Sequence, residues 1–531
     1  MSYQLVVSEK PSVAMSYAKV LGATNRQDGY LEGNGYLVSW CIGHLVELAP
    51  PNVYDAKYVK WSIADLPILP DRWLYLVSAS TKKQFGILKK LMNRPNVDSV
   101  TAATDAGREG ELIFRLVYQQ TGCKKPVFRL WLSSMEESAI REGFANLKPS
   151  TEYDALYNAA LCRERADWLV GINGTRALTC KHNAQLSCGR VQTPTLAIIA
   201  GREEEIRKFQ SEEYYGVVLH AGGIQWTWKD TRSGSYRTFQ KDRAEDIRKN
   251  ISDGVLEIIS VDKKPKKIYA PGLYDLTTLQ REANQKYGFS AKETLNIMQR
   301  LYENHKVLTY PRTDSRYLTK DIVPTLKERL DAVSIGPYKA LAQQAKRSPL
   351  NGKLSFVNDA KVSDHHAIIP TEQYVQLSAL SNEERRIYDL VVRRFLAVLL
   401  PPCVYEETVI QASIEKECFT ARGKRMVEKG WQEAYEDNRY DEEDEAKEEV
   451  REQNLPLLEA GMKIGQPKIS LREGKTKPPA RFTEGTLLSA MENPVRYMEN
   501  RDSSLVKTIG EAVRNMSVLM ANMYYHLTKA V

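Results

Sequence analysis

Glu9-Lys10 stands just past the apolar run Tyr3-Gln4-Leu5-Val6-Val7, and the segment Asp105-Ala106-Gly107-Arg108-Glu109-Gly110-Glu111 stands just past Val97–Thr104. If both runs are strands of one parallel sheet, their carboxyl ends meet at the crevice where such sheets bind ligands. Glu9 and Asp105, joined by Glu109 and Glu111, could there hold Mg2+, which takes a few carboxylates and fills its shell with water and phosphate oxygens. The same acidic segment also reads as a helix start that complements the helix dipole. Lys10 puts a cation beside Glu9 at a helix N-terminus, a place suited to a phosphate. Its other reading is an exposed lysine, the usual fate of that residue.

A second cluster is Leu308-Thr309-Tyr310-Pro311-Arg312-Thr313-Asp314-Ser315. A phenol can attack phosphorus if a cation stabilises the charge that develops, and Arg312 could supply that charge bidentately. Against this, the chain has 28 tyrosines, and Pro-Arg-Thr-Asp is also an ordinary turn. A third cluster runs from Arg163 to Arg176 and then through Ser187-Cys188-Gly189-Arg190-Val191-Gln192. Trp168 with Arg163, Arg165 and Arg176 can combine base stacking with phosphate contacts, and Gly189 permits close backbone approach. Equally, Trp168 can be helix core and the arginines a solvated face.

Other motifs fail. Gly474-Lys475-Thr476 ends like a phosphate-binding loop, but Ile469 occupies the position of its first glycine. Asp441-Glu442-Glu443-Asp444 resembles a helicase acidic box with no nucleotide loop to serve it. ATP use has no support. His365-His366 lacks further spaced metal ligands and reads as structural or phosphate-contacting.

These residues need elements to hold them. Strands are predicted at 3–7, 73–77, 97–104 and 127–132, and helices at 11–21, 82–92 and 109–120, an alternation that argues for a mostly parallel α/β sheet. From 151 to 213 the pattern is helical, with apolar positions at Leu161, Ala166, Leu169 and Val170. Strand-like pieces follow near 214–222 and 255–261, helix over 273–350 and 385–400, and a strand at Val404–Ile414 after Pro401-Pro402. Strands on both sides of a helical insertion point to domains built from discontinuous segments.

At roughly 150 residues per domain, a chain of 531 residues suggests three or four. Seven cysteines without a C-x-x-C pair exclude a disulfide framework and a zinc ribbon. No apolar run nears the roughly 18 residues of a membrane helix, and Ser8-Glu9-Lys10 interrupts any leader core. A soluble, cytoplasmic protein that does not engage membrane is expected. The formal charge is +8, but residues 433–452 hold 11 acidic and 3 basic side chains, a net of −8, so the remainder carries +16. That favours a polyanionic partner. The acidic stretch itself reads as a solvated loop.

Together the clusters resemble the type IA DNA topoisomerases, in particular the bacterial topoisomerase III branch. The matching pieces are Val7–Ser12, Asp105–Glu111, Arg163–Gly171, Ser187–Leu196, Leu308–Ser315, Asp364–Thr371 and Arg481–Glu492, in family order. The resemblance implies a multidomain α/β fold with added α and β segments: a toprim domain in a padlock-shaped core. It places the toprim domain at 1–150 and a helical single-strand-binding domain at 151–213 with 466–531. A β-rich arch would take 214–268 with 402–465, and a helical domain carrying the nucleophile 269–401. It also implies ATP-independent cleavage of one strand of single-stranded or negatively supercoiled DNA, strand passage and religation, for relaxation or decatenation. Tyr310 would form a 5′-phosphotyrosyl link, with Arg312 and Lys10 stabilising the phosphate. Glu9 would assist proton transfer and, with Asp105 and Glu109, hold Mg2+. Trp61, Trp168, Arg176 and Ser187–Gln192 would line the strand path, and His365 would reach a phosphate near the cut. The resemblance leaves a helicase partner open.

Two departures qualify it. Gly107 stands where the family's Asp-x-Asp-x-Glu motif has its second aspartate, so a single Mg2+ is expected, with Glu111 as a possible substitute ligand. After Glu511 the chain leaves the family's glycine-rich continuation, as a truncated or frameshifted reading frame would, and the strand-binding domain is expected to be incomplete. These departures keep open a catalytically degenerate single-stranded-DNA binder. A toprim nuclease or primase-like enzyme would leave the Tyr310 cluster without a role.

Overall fold

The computed structural model describes residues 2–132, 135, 137–362, 365–435, 450–465 and 467–497. Most of the acidic stretch (436–449), Asp364 and the departure at Glu511 lie outside the described residues.

Leu5, Val6 and Val7 are 0% exposed, as expected of a strand covered on both faces. Their strand, Tyr3–Ser8, is central in a seven-stranded sheet and pairs in parallel with Tyr36–Trp40 and Val97–Ala103. Val127–Arg129 adds a fourth parallel strand, while Asn25–Gln27, Tyr30–Gly33 and Lys148–Pro149 form antiparallel edges. The sheet is thus mostly parallel at its centre. Helices Pro11–Leu21, Lys82–Met92 and Arg108–Thr121 supply apolar faces to it. Proline opens the first of these, and Gly22 closes it in the left-handed region at φ 78°.

Residues 73–77 do not join this sheet. Only Tyr75–Val77 is strand, and it pairs with Val46–Leu48 as a separate ribbon. Trp73 instead meets Trp168 edge-on at 5.5 Å.

Helix Asp154–His182 spans 29 residues, yet only Tyr157, Ala160 and Arg176 are buried in it. The expected apolar stripe is only partly a core face: Leu161 packs beside Tyr157 and Ala160 on the parallel-sheet core, whereas Ala166 is exposed and Val170 is 50% exposed. Past its first half the helix is a strut held by polar contacts such as Tyr75 to Glu164 and Asn173 to Ile68, and by the Trp168 ring. A helix of that kind carries little hydrophobic periodicity.

A second seven-stranded sheet is antiparallel and runs through Lys463–Ile464, Leu256–Ile268, Cys403–Ile414, Glu417–Glu428, Ile224–Lys229, Glu213–Ala221 and Lys468–Lys475. Trp226, Trp228 and Phe419 fill its core. Between the two groups of its strands lies a helical core built on Leu276–Tyr287, Ala291–Glu303 and Asn382–Ala397. Capping boxes at Ser290/Glu293 and Ser381/Glu384 start the last two.

Tyr310 lies in none of these helices, although 273–350 reads as helical overall. Its loop is held by isolated bridges Leu308–Pro370 and Tyr274–Ile368. The Thr309 hydroxyl donates to Ala367 O at 3.3 Å, and that of Thr313 to His365 O at 2.7 Å.

Candidate active site

Glu9 follows strand Tyr3–Ser8 and Asp105 follows strand Val97–Ala103, so parallel pairing puts both at one edge of the sheet. Lys10 lies between them, its ammonium 3.7 Å from Glu9 Oε1 and 3.7 Å from Asp105 Oδ2. The same nitrogen donates to Tyr310 Oη at 3.3 Å, from 300 residues away in sequence. Tyr310 is flanked by the His365 ring at 4.4 Å and meets Tyr302 edge-on at 5.5 Å.

Burial pushes the Glu9 carboxyl up to about 7, aided by repulsion from Asp105 and opposed by Lys10. Burial works against the Lys10 charge, but Tyr310, Asp105 and Glu9 outweigh it and hold the ammonium above its ordinary range. Burial also raises the Tyr310 phenol, with Lys10 and Arg312 pulling it back. Arg312 is half-buried and has no hydrogen bond or ion pair among the described residues. His365 is lowered by burial, which keeps it neutral.

The acids do not all converge. Glu109 takes Arg163 Nη1 at 2.9 Å and faces His44 Nε2 at 3.8 Å. Glu111 is excluded as a substitute ligand. It is 0% exposed, with Oε1 2.8 Å from Arg115 Nε and Oε2 2.9 Å from the buried Arg129 Nε. Arg129 donates in addition to the carbonyls of Ala102, Thr104 and Leu130 through Nη1 and of Asp105 through Nη2. Among the described residues no group of three or more acids, histidines or cysteines is placed to hold a metal. Glu9 and Asp105 alone offer a mutually repelling carboxylate pair. Such a pair suits Mg2+, which often takes one or two protein carboxylates and completes its shell with water and phosphate oxygens.

The third cluster assembles around one face of helix Asp154–His182. Arg163 reaches Glu109, and Asp167, one turn on, pairs with Arg190 at 2.5 and 3.0 Å. Farther along, the Cys188 sulfur is 2.7 Å from where a Gly174 Cβ would stand, and Cys188 N donates to Thr175 Oγ1 at 2.9 Å. Gly189 N donates to Thr193 Oγ1 at 3.0 Å, and a Cβ on Gly189 would lie 3.0 Å from Gln192 Nε2. Ser187 is exposed, and Val191 packs with Phe482, Leu487 and Met491. The exposed Trp61 ring lies 5.0 Å from the Arg176 guanidinium. Trp168 follows the packing reading: its N–H bonds Ala49 O at 3.1 Å and its ring meets Tyr54 and Trp73 edge-on.

His44, Tyr302 and Arg129 belong to the site's surroundings but were not singled out by motif. For His44 a signal existed, since it falls just past strand Tyr36–Trp40, at the edge that carries Glu9 and Asp105. Tyr302 and Arg129 had none, because one is a tyrosine among many and the other a lone arginine inside an apolar strand.

The DNA topoisomerase family matches residues 151–510, and the Toprim domain, generally a Mg2+-binding fold, matches residues 4–135. DNA topoisomerase 3 of Bacillus cereus is 52% identical over 510 residues, covering 96% of this chain and 70% of the relative. That of Bacillus subtilis is 49% identical over 511 residues, with the same coverage. Full-length topoisomerase I from Thermotoga maritima shares the fold at a TM-score of 0.65 and 24% identity, over 95% of this chain and 77% of that one. The expected toprim-plus-core architecture is thereby borne out. No helix among the described residues is long and apolar enough to cross a membrane. A family match over most of the chain, with about half of the residues shared with relatives covered for most of their length, shows that the chain belongs to the type IA DNA topoisomerases.

Proposed function

We propose that the chain cleaves one strand of single-stranded or negatively supercoiled DNA through Tyr310, passes a strand and reseals the break without ATP. The observation that carries this reading is the Lys10 ammonium, shared among Glu9, Asp105 and the Tyr310 hydroxyl. One cation thus sits where a phenol, two acids and an incoming phosphodiester would meet. Tyr310 Oη attacks the phosphorus, forming a 5′-phosphotyrosyl bond as the 3′-oxygen leaves, and the proton the phenol gives up passes to that leaving oxygen. Lys10 and Arg312 stabilise the charge on Tyr310 Oη and on the phosphate oxygens. Glu9, beside the Lys10 ammonium, relays a proton to the leaving 3′-oxygen. Because the link conserves the phosphodiester, the reverse attack reseals the strand.

Glu9 and Asp105 would hold Mg2+, while Glu109 acts through Arg163. An ion held by these two carboxylates would help to neutralise phosphate charge. Trp61, Arg176 and the Ser187–Gln192 segment would line the strand path, with Trp168 bracing it and His365 beside the phosphate. The four-domain division expected from the resemblance is proposed for the whole chain.

Covalent trapping tests this on a labelled single-stranded oligonucleotide with Mg2+, followed by denaturation. Wild type should retain label and Tyr310→Phe should lose it while still binding the oligonucleotide. Equal labelling of both proteins would remove Tyr310 as nucleophile. Binding without any adduct would restore the degenerate-binder reading.

A further inference from the structure

Helix Lys82–Met92 breaks two local rules on its outer face while keeping its inner face well packed. Inside, Phe85, Leu88, Leu91 and Met92 enter the sheet core, and Gln84 Nε2 donates to Trp40 O at 2.8 Å. Outside, Lys82 and Lys83 occupy the first turn with no acid there to offset them, although positive charge at a helix N-terminus opposes the dipole. Gly86 sits at the middle of the helix, where glycine is the least favourable residue short of proline. A Cβ at Gly86 would meet nothing within 4 Å, so no packing demands the glycine. At 100° per residue, Lys82, Lys83, Gly86, Lys89 and Lys90 share one face, and the four lysines are exposed. Lys83 pairs with Asp28 at 3.1 Å. The side chains of Lys82, Lys89 and Lys90 have no partner among the described residues.

Local rules broken without a structural return mark functional surface. We infer that this face is a docking strip for the phosphate backbone of duplex DNA flanking the cleaved single strand. The two lysine pairs stand roughly 10 Å apart along the helix axis, with a saddle free of side chains between them at Gly86. Phe85 is buried, so the strip offers no aromatic ring for base stacking, the usual means of gripping a single strand. Gln84, bonded to the last residue of strand Tyr36–Trp40, sets the first lysine pair at the edge of the sheet that carries Glu9 and Asp105. A duplex leaving the cut could run along the helix from there. The inference rests on the enzyme's action on DNA but not on the role given to Tyr310.

The test uses the full chain and two ligands, a single-stranded oligonucleotide and the same oligonucleotide flanked by a duplex arm, titrated over a range of salt. For the triple variant Lys82→Gln, Lys89→Gln, Lys90→Gln, duplex-arm binding should lose about 2–3 from its log–log salt slope, near 0.9 per lost phosphate contact. Single-strand affinity and adduct yield should stay at wild type. Gly86→Gln should raise the melting temperature yet weaken duplex-arm binding, two changes that a merely structural helix would not show together. Unchanged slopes with a normal adduct would overturn the docking strip alone. Unchanged duplex binding combined with lost binding of a polyglutamate peptide would also overturn it, by giving the face to an acidic protein partner. Failure of wild type to form any adduct would instead count against the proposed cleavage chemistry.

Discussion

Lys10 joins the acidic end of the sheet to the Tyr310 loop, and no other described residue bonds both Tyr310 and the two carboxylates. Removing its charge should therefore cost more chemistry than binding. Lys10→Gln is expected to lower the rate of adduct formation about 100-fold, the usual loss for one oxyanion-stabilising donor. Oligonucleotide affinity should change only a few-fold, and single-turnover trapping beside a binding titration separates the two. A second prediction concerns His366, which is 6% exposed and held neutral by burial, with its pKa lowered to about 4. The unfolded chain binds this proton near pH 6.5 and the folded chain does not until near 4. Its contribution to stability is full above pH 6.5 and is lost as the pH falls through 4, at most about 3 kcal/mol. Urea midpoints at pH 5 and 7 should differ less in His366→Gln than in wild type; an unchanged difference would refute the assignment. At this scale Glu9, Lys10, Asp105 and Tyr310 were legible because each stands at the end of a strand or in a compact motif. The fate of Glu111 was not, because its partner Arg129 lies 18 positions on in a neighbouring strand.

Between residue and molecule, the strand end that presents Asp105 is held by the Glu111–Arg129 pair. Arg129 joins the carbonyls of Ala102, Thr104 and Asp105, while Glu111 ties it to helix Arg108–Thr121. Arg129→Met should leave a buried carboxylate short of one partner and free those carbonyls. The expected cost is about 3–5 kcal/mol, read from the chemical denaturation midpoint. Glu111→Gln combined with Arg129→Met should recover part of that loss, because no buried charge is then stranded. No recovery would mean that the carbonyl contacts dominate. Helix bounds were the best-read feature of the sequence: Pro11–Leu21 and Lys82–Met92 fall as the apolar period and the opening proline set them. The antiparallel edge Tyr30–Gly33 with Tyr36–Trp40 went unread, although Gly33-Asn34-Gly35 between them is a turn signal. The long helix Asp154–His182 is legible as helix, but only its first half follows the apolar period, where Tyr157, Ala160 and Leu161 meet the parallel-sheet core. Beyond it the partners are mostly charges, amides and aromatic edges.

For the molecule as a whole, the apolar residues gather into separate large cores, which bears on how the chain unfolds. One is centred on the helices around Met298 and Phe395, one on the parallel sheet around Leu5 and Val100, and one on Trp226, Trp228 and Phe419 in the antiparallel sheet. The third is assembled from strands before and after the helical core, so the chain leaves that sheet and returns to it. Contacts at the candidate active site between the first two are polar, led by Lys10 with Tyr310, and polar contacts couple unfolding weakly. Calorimetry should therefore resolve more than one transition, as chains of several cores generally show. Trp226 is 0% exposed, and Trp226→Ala should remove about 3–5 kcal/mol from its own core. One transition is expected to move down while the others stay in place. Adduct formation by Tyr310 at moderate temperature should persist, because the cleavage residues belong to the other two cores. A single transition that shifts as a unit would show instead that the antiparallel sheet and the cleavage site unfold together, and the proposed division of the chain into domains would fail with it.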